Sequence, residues 1–106
     1  MKKIETMPRM TMREFLGKIE DDTDVWSDYT DRIPVCVCPP VKFTAEGEKE
    51  FKHELDEIMV EYDGDVCNVL CNDTADPDKT EDEAFTLLYS LAGYCSAKDY
   101  ERWFED

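Results

Sequence analysis

Apolar residues recur along the chain at helical spacing most clearly in its middle third. Four of them follow one another at steps of four, three and four: Phe51, Leu55, Ile58 and Tyr62. Thr44 is suited to cap this central helix, which we expect to run to about Val60. Asp63 and Gly64 also fit the turn of a β-hairpin, in which residues 58–62 would be a strand. We favour the helix, followed by a strand over residues 66–71.

Three shorter helices are predicted from capping residues and apolar stripes. Thr11 and Glu14 form a capping box that opens a helix through about Glu20. Thr80 and Glu83 form a second box, and Gly93 loosens or ends the helix that follows. That helix carries an apolar stripe: Ala84, Leu87, Leu88, Leu91 and Cys95. Ser96 caps a final helix whose aromatic residues are expected to dock on the core: Tyr100, Trp103 and Phe104.

The remaining segments predict a strand and two acidic loops. Residues 33–38 alternate like a short strand, and Pro34 makes it either an edge strand or one that starts late. Residues 20–31 and 72–79 are rich in acidic side chains and are predicted to be loops. The fold class is therefore α+β, with a two- to three-stranded antiparallel sheet packed against three to four helices. A single domain is expected over residues 1–106, with residues 1–10 as a candidate flexible basic tail.

The net charge restricts the possible functions of the chain more than its length does. The 106 residues carry a formal net charge of −15, and residues 1–19 are locally basic, so the acidity lies in the rest of the chain. A nucleic-acid binder draws affinity from Lys and Arg, and an anionic bilayer repels acidic chains, so both function classes are disfavoured. The start of the sequence has no apolar segment of a secretion signal, which predicts a cytoplasmic protein.

The sharpest feature is a row of glutamates on the predicted central helix. They step by four, four, three and four and would share one face: Glu46, Glu50, Glu54, Glu57 and Glu61. Three further acids join them in the predicted protein-binding surface: Asp21, Asp22 and Asp24. Residues 73–83 add more negative charge. A basic groove would be attracted to this array, although a solvated face that serves only solubility also explains it.

Five cysteines exclude a complete set of internal disulfides. Two close pairs could together offer four thiolates to zinc: Cys36, Cys38, Cys67 and Cys71. The one-residue gap in the first pair suits a zinc knuckle poorly, so we favour buried free thiols there and at Cys95. No cofactor is predicted.

The single histidine, His53, could form a nucleophilic pair with a thiol. Its place beside the acidic row instead favours a surface histidine with a raised pKa. No catalytic residue is predicted, and the chain is not expected to be an enzyme.

Several short motifs carry a resemblance to a known group of proteins. These are residues 11–16 (TMREFL), 22–25 (DTDV), 36–39 (CVCP), 44–47 (TAEG), 92–96 (AGYCS), 99–100 (DY) and 103–104 (WF). The chain resembles small acidic uncharacterised proteins carried by phages and mobile elements of gut Firmicutes. That group has no catalytic motif to transfer, and related small phage proteins include anti-restriction and anti-CRISPR inhibitors.

The resemblance implies a phage-encoded inhibitor in the cytoplasm of a bacterial host. Its partner would be a host protein with a basic surface, such as a nucleic-acid-processing protein or a CRISPR effector, bound in the manner of a DNA mimic. Two alternatives stay open. One is a structural or adaptor module that makes apolar contacts through Trp26, Trp103 or Phe104, and the other is a small module stabilised by zinc.

Overall fold

A mixed β-sheet organises the fold, with helices packed on one of its faces. A computed structural model of the chain describes residues 8–27, 29–30, 34–72 and 74–105. Within these, the strands are β1 (Arg9–Thr11), β2 (Thr23–Ser27), β3 (Val35–Val37), β4 (Met59–Tyr62) and β5 (Val66–Val69). Their order across the sheet is β1-β4-β5-β2-β3. The β2–β5 pair is parallel and the other three pairs are antiparallel.

The described residues form five helices, of which all but the last stand next to a strand in the order of elements along the chain. They are α1 (Met12–Lys18), α2 (Ala45–Glu50), α3 (Lys52–Glu57), α4 (Pro77–Leu91) and α5 (Ala97–Trp103). Alternate strand residues such as Val25, Val37 and Val60 are buried, and they meet Phe15, Phe85 and other helix residues in one core. None of these helices is long and apolar enough to cross a bilayer.

The α+β class is confirmed, but the predicted sheet is too small and its antiparallel assignment is incomplete. The missing strand β2 lies in a segment predicted to be an acidic loop. Thr23 and Ser27 are among its buried residues. Because their side chains are polar, the sequence lacks the alternation of apolar and polar residues that identifies a strand. Asp24 and Trp26 point to the opposite face of the sheet. The prediction of β3 as an edge strand is confirmed.

The predicted central helix is wrong beyond residue 57. Residues 59–62 form β4, and β4 pairs with β5 across the turn at Gly64, whose φ is +98°. Ile58 and Tyr62 fit either period, but Val60 is fully buried only because the backbone alternates. The helix itself is interrupted at Phe51, although the Phe51 N–H still donates to the Gly47 carbonyl oxygen at 3.0 Å.

Helix boundaries follow the capping side chains. The Thr11–Glu14 capping box is confirmed, and α1 ends at Lys18 rather than near Glu20. The predicted second box is wrong, because Asp76 caps α4 and Pro77 occupies its first turn. Helix α4 ends at Leu91, before Gly93 with its φ of +95°. Strand β5 likewise ends at Val69 rather than at residue 71.

The C-terminal aromatic residues pack on the core, as predicted, at the end of α2. Phe104 is buried and stacks on Phe51 with ring centroids 6.0 Å apart, while Trp103 is half-buried. The Thr44 N–H donates to the Trp103 carbonyl oxygen at 3.0 Å. This close approach requires Gly47, because a Cβ at that position would lie 1.9 Å from the same oxygen.

Some predicted features fall outside the described residues. These are residues 1–7 of the proposed basic tail, Asp28, residues 31–33 and Asp73. Arg9 and Met10, which the prediction placed in that tail, belong to β1 and pair with Glu61 and Val60.

Candidate protein-binding surface

Four of the five glutamates of the predicted row lie on the α2–α3 helix pair. Glu46 and Glu50 lie on α2, and Glu54 and Glu57 lie on α3. Glu61 is a correction, because it lies on β4 and forms an ion pair with Arg9 at 3.4 Å. The row therefore has four members rather than five.

The opposite side of α2 and α3 is acidic as well, but its charges are neutralised. Arg13 of α1 binds Glu48 at 2.7 Å and Asp56 at 2.6 Å. Lys52 adds a second cation to Asp56 at 3.2 Å. The hydrogen bonds from Arg13 and Lys52 lower the pKa of Asp56, so this carboxylate stays ionised. Glu46 is also paired, with Arg102 at 3.1 Å.

The side that carries Glu50, Glu54 and Glu57 faces more acids from α4. His53 bridges the two helices, since its Nε2 lies 3.3 Å from Glu83 Oε1 and its Nδ1 lies 3.0 Å from Glu57 Oε2. The hydrogen bond to Glu57 raises the pKa of His53. Partial burial, with the charges of Glu83 and Glu50, raises the pKa of Glu54. A surface histidine with a raised pKa is thus the supported interpretation of His53.

Residues 29–30, at the end of the predicted acidic loop 20–31, contact the start of α4. Thr30 donates a hydrogen bond to Glu81, a carboxylate that is only 4% exposed. A hydrogen bond with Asp78 raises the pKa of Tyr29, and Asp76 lies close enough to add to the shift. Residues 29–30 therefore sit on the same end of α4 whose Glu83 faces α3.

These contacts bring four glutamates together on α2, α3 and α4, and we call this surface the acidic edge. Its members are Glu50, Glu54, Glu57 and Glu83. Asp76 and Asp78 lie beside Tyr29 instead, and Asp78 points about 140° away from Glu83 around α4. Glu83 was missing from the predicted site, although the sequence showed acids across residues 73–83. Its approach to α3 depends on the β5–α4 connection, which no local pattern revealed.

The predicted acids before and within β2 lie elsewhere. Asp21 and Asp22 precede β2, whereas Tyr29 follows it, so the strand separates them from the start of α4. Five residues of extended strand span about 16 Å. Asp24 points outward from β2. These three aspartates do not form one surface with the helical glutamates.

The cysteines separate into two environments, so the four-thiolate zinc site is wrong. Cys67 and Cys71 are buried in the core, and burial raises the pKa of the Cys67 thiol. Cys36 and Cys38 are exposed, contrary to the expectation of buried thiols, and they lie on the other side of the sheet. Their ligand atoms lie within 4.8 Å of one another and of the Asp22 carboxylate. Partial desolvation and Asp22 raise the pKa of Cys38 to about 11.

The chain matches no protein-family model, no curated protein and no solved structure. Its function must therefore be inferred from its own residues.

An apolar groove of about 770 Å³ lies beside the edge strand β3. It is lined by Pro34, Val35, Cys36, Tyr89, Ala92 and Tyr94. Tyr89 is six residues along α4 from Glu83, about 9 Å at helical rise, and the two side chains point about 120° apart. The groove and the acidic edge are thus separate features, on different sides of α4.

Proposed function

We propose that the chain is a non-enzymatic interaction protein whose acidic edge binds a basic, nucleic-acid-binding surface of a partner protein. The observation that carries the proposal is that Glu83 of α4 lies near Glu54 of α3, with Glu50 of α2 beside them. His53 bridges Glu57 and Glu83. Arginine instead serves the other side of the same helices, through Arg13.

The proposal is supported by the cost of this arrangement. Like charges three or four residues apart destabilise a helix by about 0.2–0.5 kcal/mol per pair. Glu50 and Glu54 form such a pair, and Glu83 of α4 adds a third carboxylate to it. A basic partner surface would relieve this repulsion and gain from long-range attraction during encounter.

The dimensions also suit a surface that normally holds nucleic acid. Glu50, Glu54 and Glu57 span about 10 Å of helix, with a mean spacing of about 5 Å. A phosphate backbone carries one charge per about 3.4 Å of strand, so the row has the same sign and a lower charge density, to which Glu83 adds a fourth carboxylate. The resemblance to small acidic phage proteins favours a host protein as the partner, so we infer a phage-encoded inhibitor acting in the cytoplasm of a bacterium.

The test is capture from a bacterial lysate by the tagged chain, with low-salt and high-salt washes and identification by mass spectrometry. The edge variant is Glu50→Lys, Glu57→Lys and Glu83→Lys, which spares the partly buried Glu54. The matched control is Glu20→Lys, Asp21→Lys and Asp65→Lys, an equal charge change on exposed residues near the other end of β2 and β5.

We expect the parent chain and the control to capture nucleic-acid-binding proteins that high salt releases, and the edge variant to capture none. Circular dichroism must show that all three chains are folded. If both variants lose the captured proteins equally, net charge alone explains the binding. If both variants retain them equally, the acidic edge is not the binding surface.

An adaptor with apolar contacts is the second candidate, and it now depends on Trp26. Phe104 is buried and Trp103 is half-buried, whereas Trp26 is 45% exposed on the outer face of the sheet. This candidate predicts that Trp26→Ala abolishes capture, that the edge variant leaves capture intact, and that the captured protein resists high salt.

A further inference from the structure

Two thiols and a carboxylate meet on the outer face of the sheet, away from the hydrophobic core. Cys36 and Cys38 are two residues apart at β3, so both side chains project to the same face. The antiparallel register pairs Thr23 with Val37 and Asp24 with Cys36. Continued by one residue, it brings Asp22 opposite Cys38. The approach of Asp22 to both thiols thus follows from the strand pairing.

The distances fit a metal ion with little rearrangement. The two Sγ atoms and one Asp22 carboxylate oxygen all lie within 4.8 Å of one another. Zinc bonds of about 2.3 Å to sulfur and 2.0 Å to oxygen in a tetrahedron place the ligand atoms about 3.5–3.8 Å apart. All three side chains are exposed, so rotation about their own bonds can close the remaining gap.

We propose that Asp22, Cys36 and Cys38 bind a thiophilic divalent cation of the Zn²⁺ class, leaving a fourth position for water. Two thiolates favour Zn²⁺ over Mg²⁺ and Ca²⁺, which take oxygen ligands. The site needs neither Cys67 nor Cys71, which are buried on the other face of the sheet. It is therefore distinct from a four-thiolate structural site.

A disulfide between Cys36 and Cys38 is the competing use of these thiols. Two residues apart in a strand, their Cα atoms are about 6.6 Å apart. That separation is at the upper end of the range of about 4.4–6.8 Å that disulfides tolerate. Their side chains also point in parallel rather than toward each other, so metal binding requires less distortion than oxidation.

The site stands independently of the acidic edge, because its ligands lie at the start of β2 and at β3, whereas the glutamates of the acidic edge lie on α2, α3 and α4. A chain that binds no metal would leave the proposed function unaffected. A chain whose acidic edge binds no partner would leave the proposed metal site unaffected.

The test is titration of the reduced, chelator-treated full chain with Co²⁺ alone, followed by displacement with Zn²⁺. We expect one equivalent of Co²⁺ to bind and to give a thiolate-to-metal charge-transfer band, which Zn²⁺ abolishes. Cys36→Ser and Cys38→Ser should each weaken binding more than about tenfold, because loss of a direct ligand exceeds the effect of an outer partner. Asp22→Asn should weaken binding without removing the band.

Cys95→Ser is the matched control, since Cys95 lies outside the cluster. It should leave the stoichiometry, the affinity and the band unchanged. The proposal is overturned if the parent chain gives no charge-transfer band, or if the double variant Cys36→Ser, Cys38→Ser binds Co²⁺ as tightly as the parent. Loss of the band in Cys67→Ser alone would assign the metal to the buried thiols and equally overturn it.

Discussion

Two groups of acidic side chains on the α2–α3 helix pair differ in what the neighbouring helices bring to them. On the side that faces α1, Arg13 holds Glu48 and Asp56 within 2.7 Å. On the side that faces α4, Glu54 lies near Glu83, and His53 bridges Glu57 and Glu83. The difference shows that acidity does not by itself mark a functional surface. What distinguishes the acidic edge among the described residues is that α4 brings a further carboxylate toward it, whereas α1 brings a guanidinium to the other group.

The largest expected effect comes from disrupting the close contact between α2 and the backbone of Trp103. Gly47→Ala would force a Cβ to within 1.9 Å of the Trp103 carbonyl oxygen. We expect the free energy of unfolding to fall by about 3 kcal/mol, the upper range for overpacking. Urea denaturation measures it. Gly17→Ala in α1, where a Cβ meets nothing within 4 Å, should instead be neutral or stabilising. Similar losses in both variants would refute the role of the close approach.

Removing the charge of Arg13 should destabilise the chain less. Arg13→Gln leaves Glu48 without Arg13 and Asp56 with Lys52 alone. Because these side chains are partly exposed, we expect a loss of up to about 1 kcal/mol, shrinking as salt is added. Denaturation at low and high salt measures the change. A gain in stability would mean that the ion pairs have no net benefit.

Removing a charge from the acidic edge should instead stabilise the chain. Glu54→Gln removes a carboxylate whose pKa is raised by burial and neighbouring charge, and should stabilise the chain by about 0.5 kcal/mol at pH 7. A raised carboxyl pKa means that the folded chain binds the proton more tightly than the unfolded chain. The parent therefore loses stability as the pH rises through that pKa, and the gain from glutamine vanishes in acid.

Denaturation of parent and Glu54→Gln across this pH range tests the sign. Glu101→Gln, on the exposed surface of α5, is the control and should change little. A loss of stability at pH 7 in Glu54→Gln would contradict the description of the acidic edge as repulsive.

The smallest expected effect is the titration of His53. Its hydrogen bond to Glu57 holds the pKa of His53 above its ordinary value of 6.5. Glu57→Gln should lower it toward that value, which NMR titration of the imidazole protons can follow. Because the folded-state pKa is raised, the stabilisation by His53 is complete below the ordinary pKa and is lost as the pH rises through the raised one. An unshifted pKa of His53 in the parent chain would show that His53 does not bridge Glu57 and Glu83.

Local signals in the sequence were sufficient for most helix starts and for the edge strand. Thr11, Thr44 and Ser96 cap helices as expected, because each hydroxyl accepts from a backbone N–H within the first turn. The sheet was harder to predict. Strand β1 is three residues long, and β2 buries Thr23 and Ser27, so neither shows the apolar alternation that identifies strands.

The acidic edge could be predicted only in part. Glu50, Glu54 and Glu57 follow from helical spacing, which is a local property. Their approach to Glu83 depends on how α4 returns beside α3, and Glu61 was misassigned because Ile58 and Tyr62 fit a helix as well as a strand. The pairing of Arg13 with Asp56 joins residues 43 positions apart and has no signature in the sequence.

Competition with DNA tests the central claim most directly. Proteins captured by the tagged parent chain at low salt are washed with duplex DNA at constant ionic strength, and the released fraction is measured. If the acidic edge occupies a nucleic-acid-binding surface, DNA releases the captured protein, and the edge variant Glu50→Lys, Glu57→Lys, Glu83→Lys captures nothing to release. If the captured protein withstands DNA and is lost only in Trp26→Ala, the acidic edge is not the binding surface.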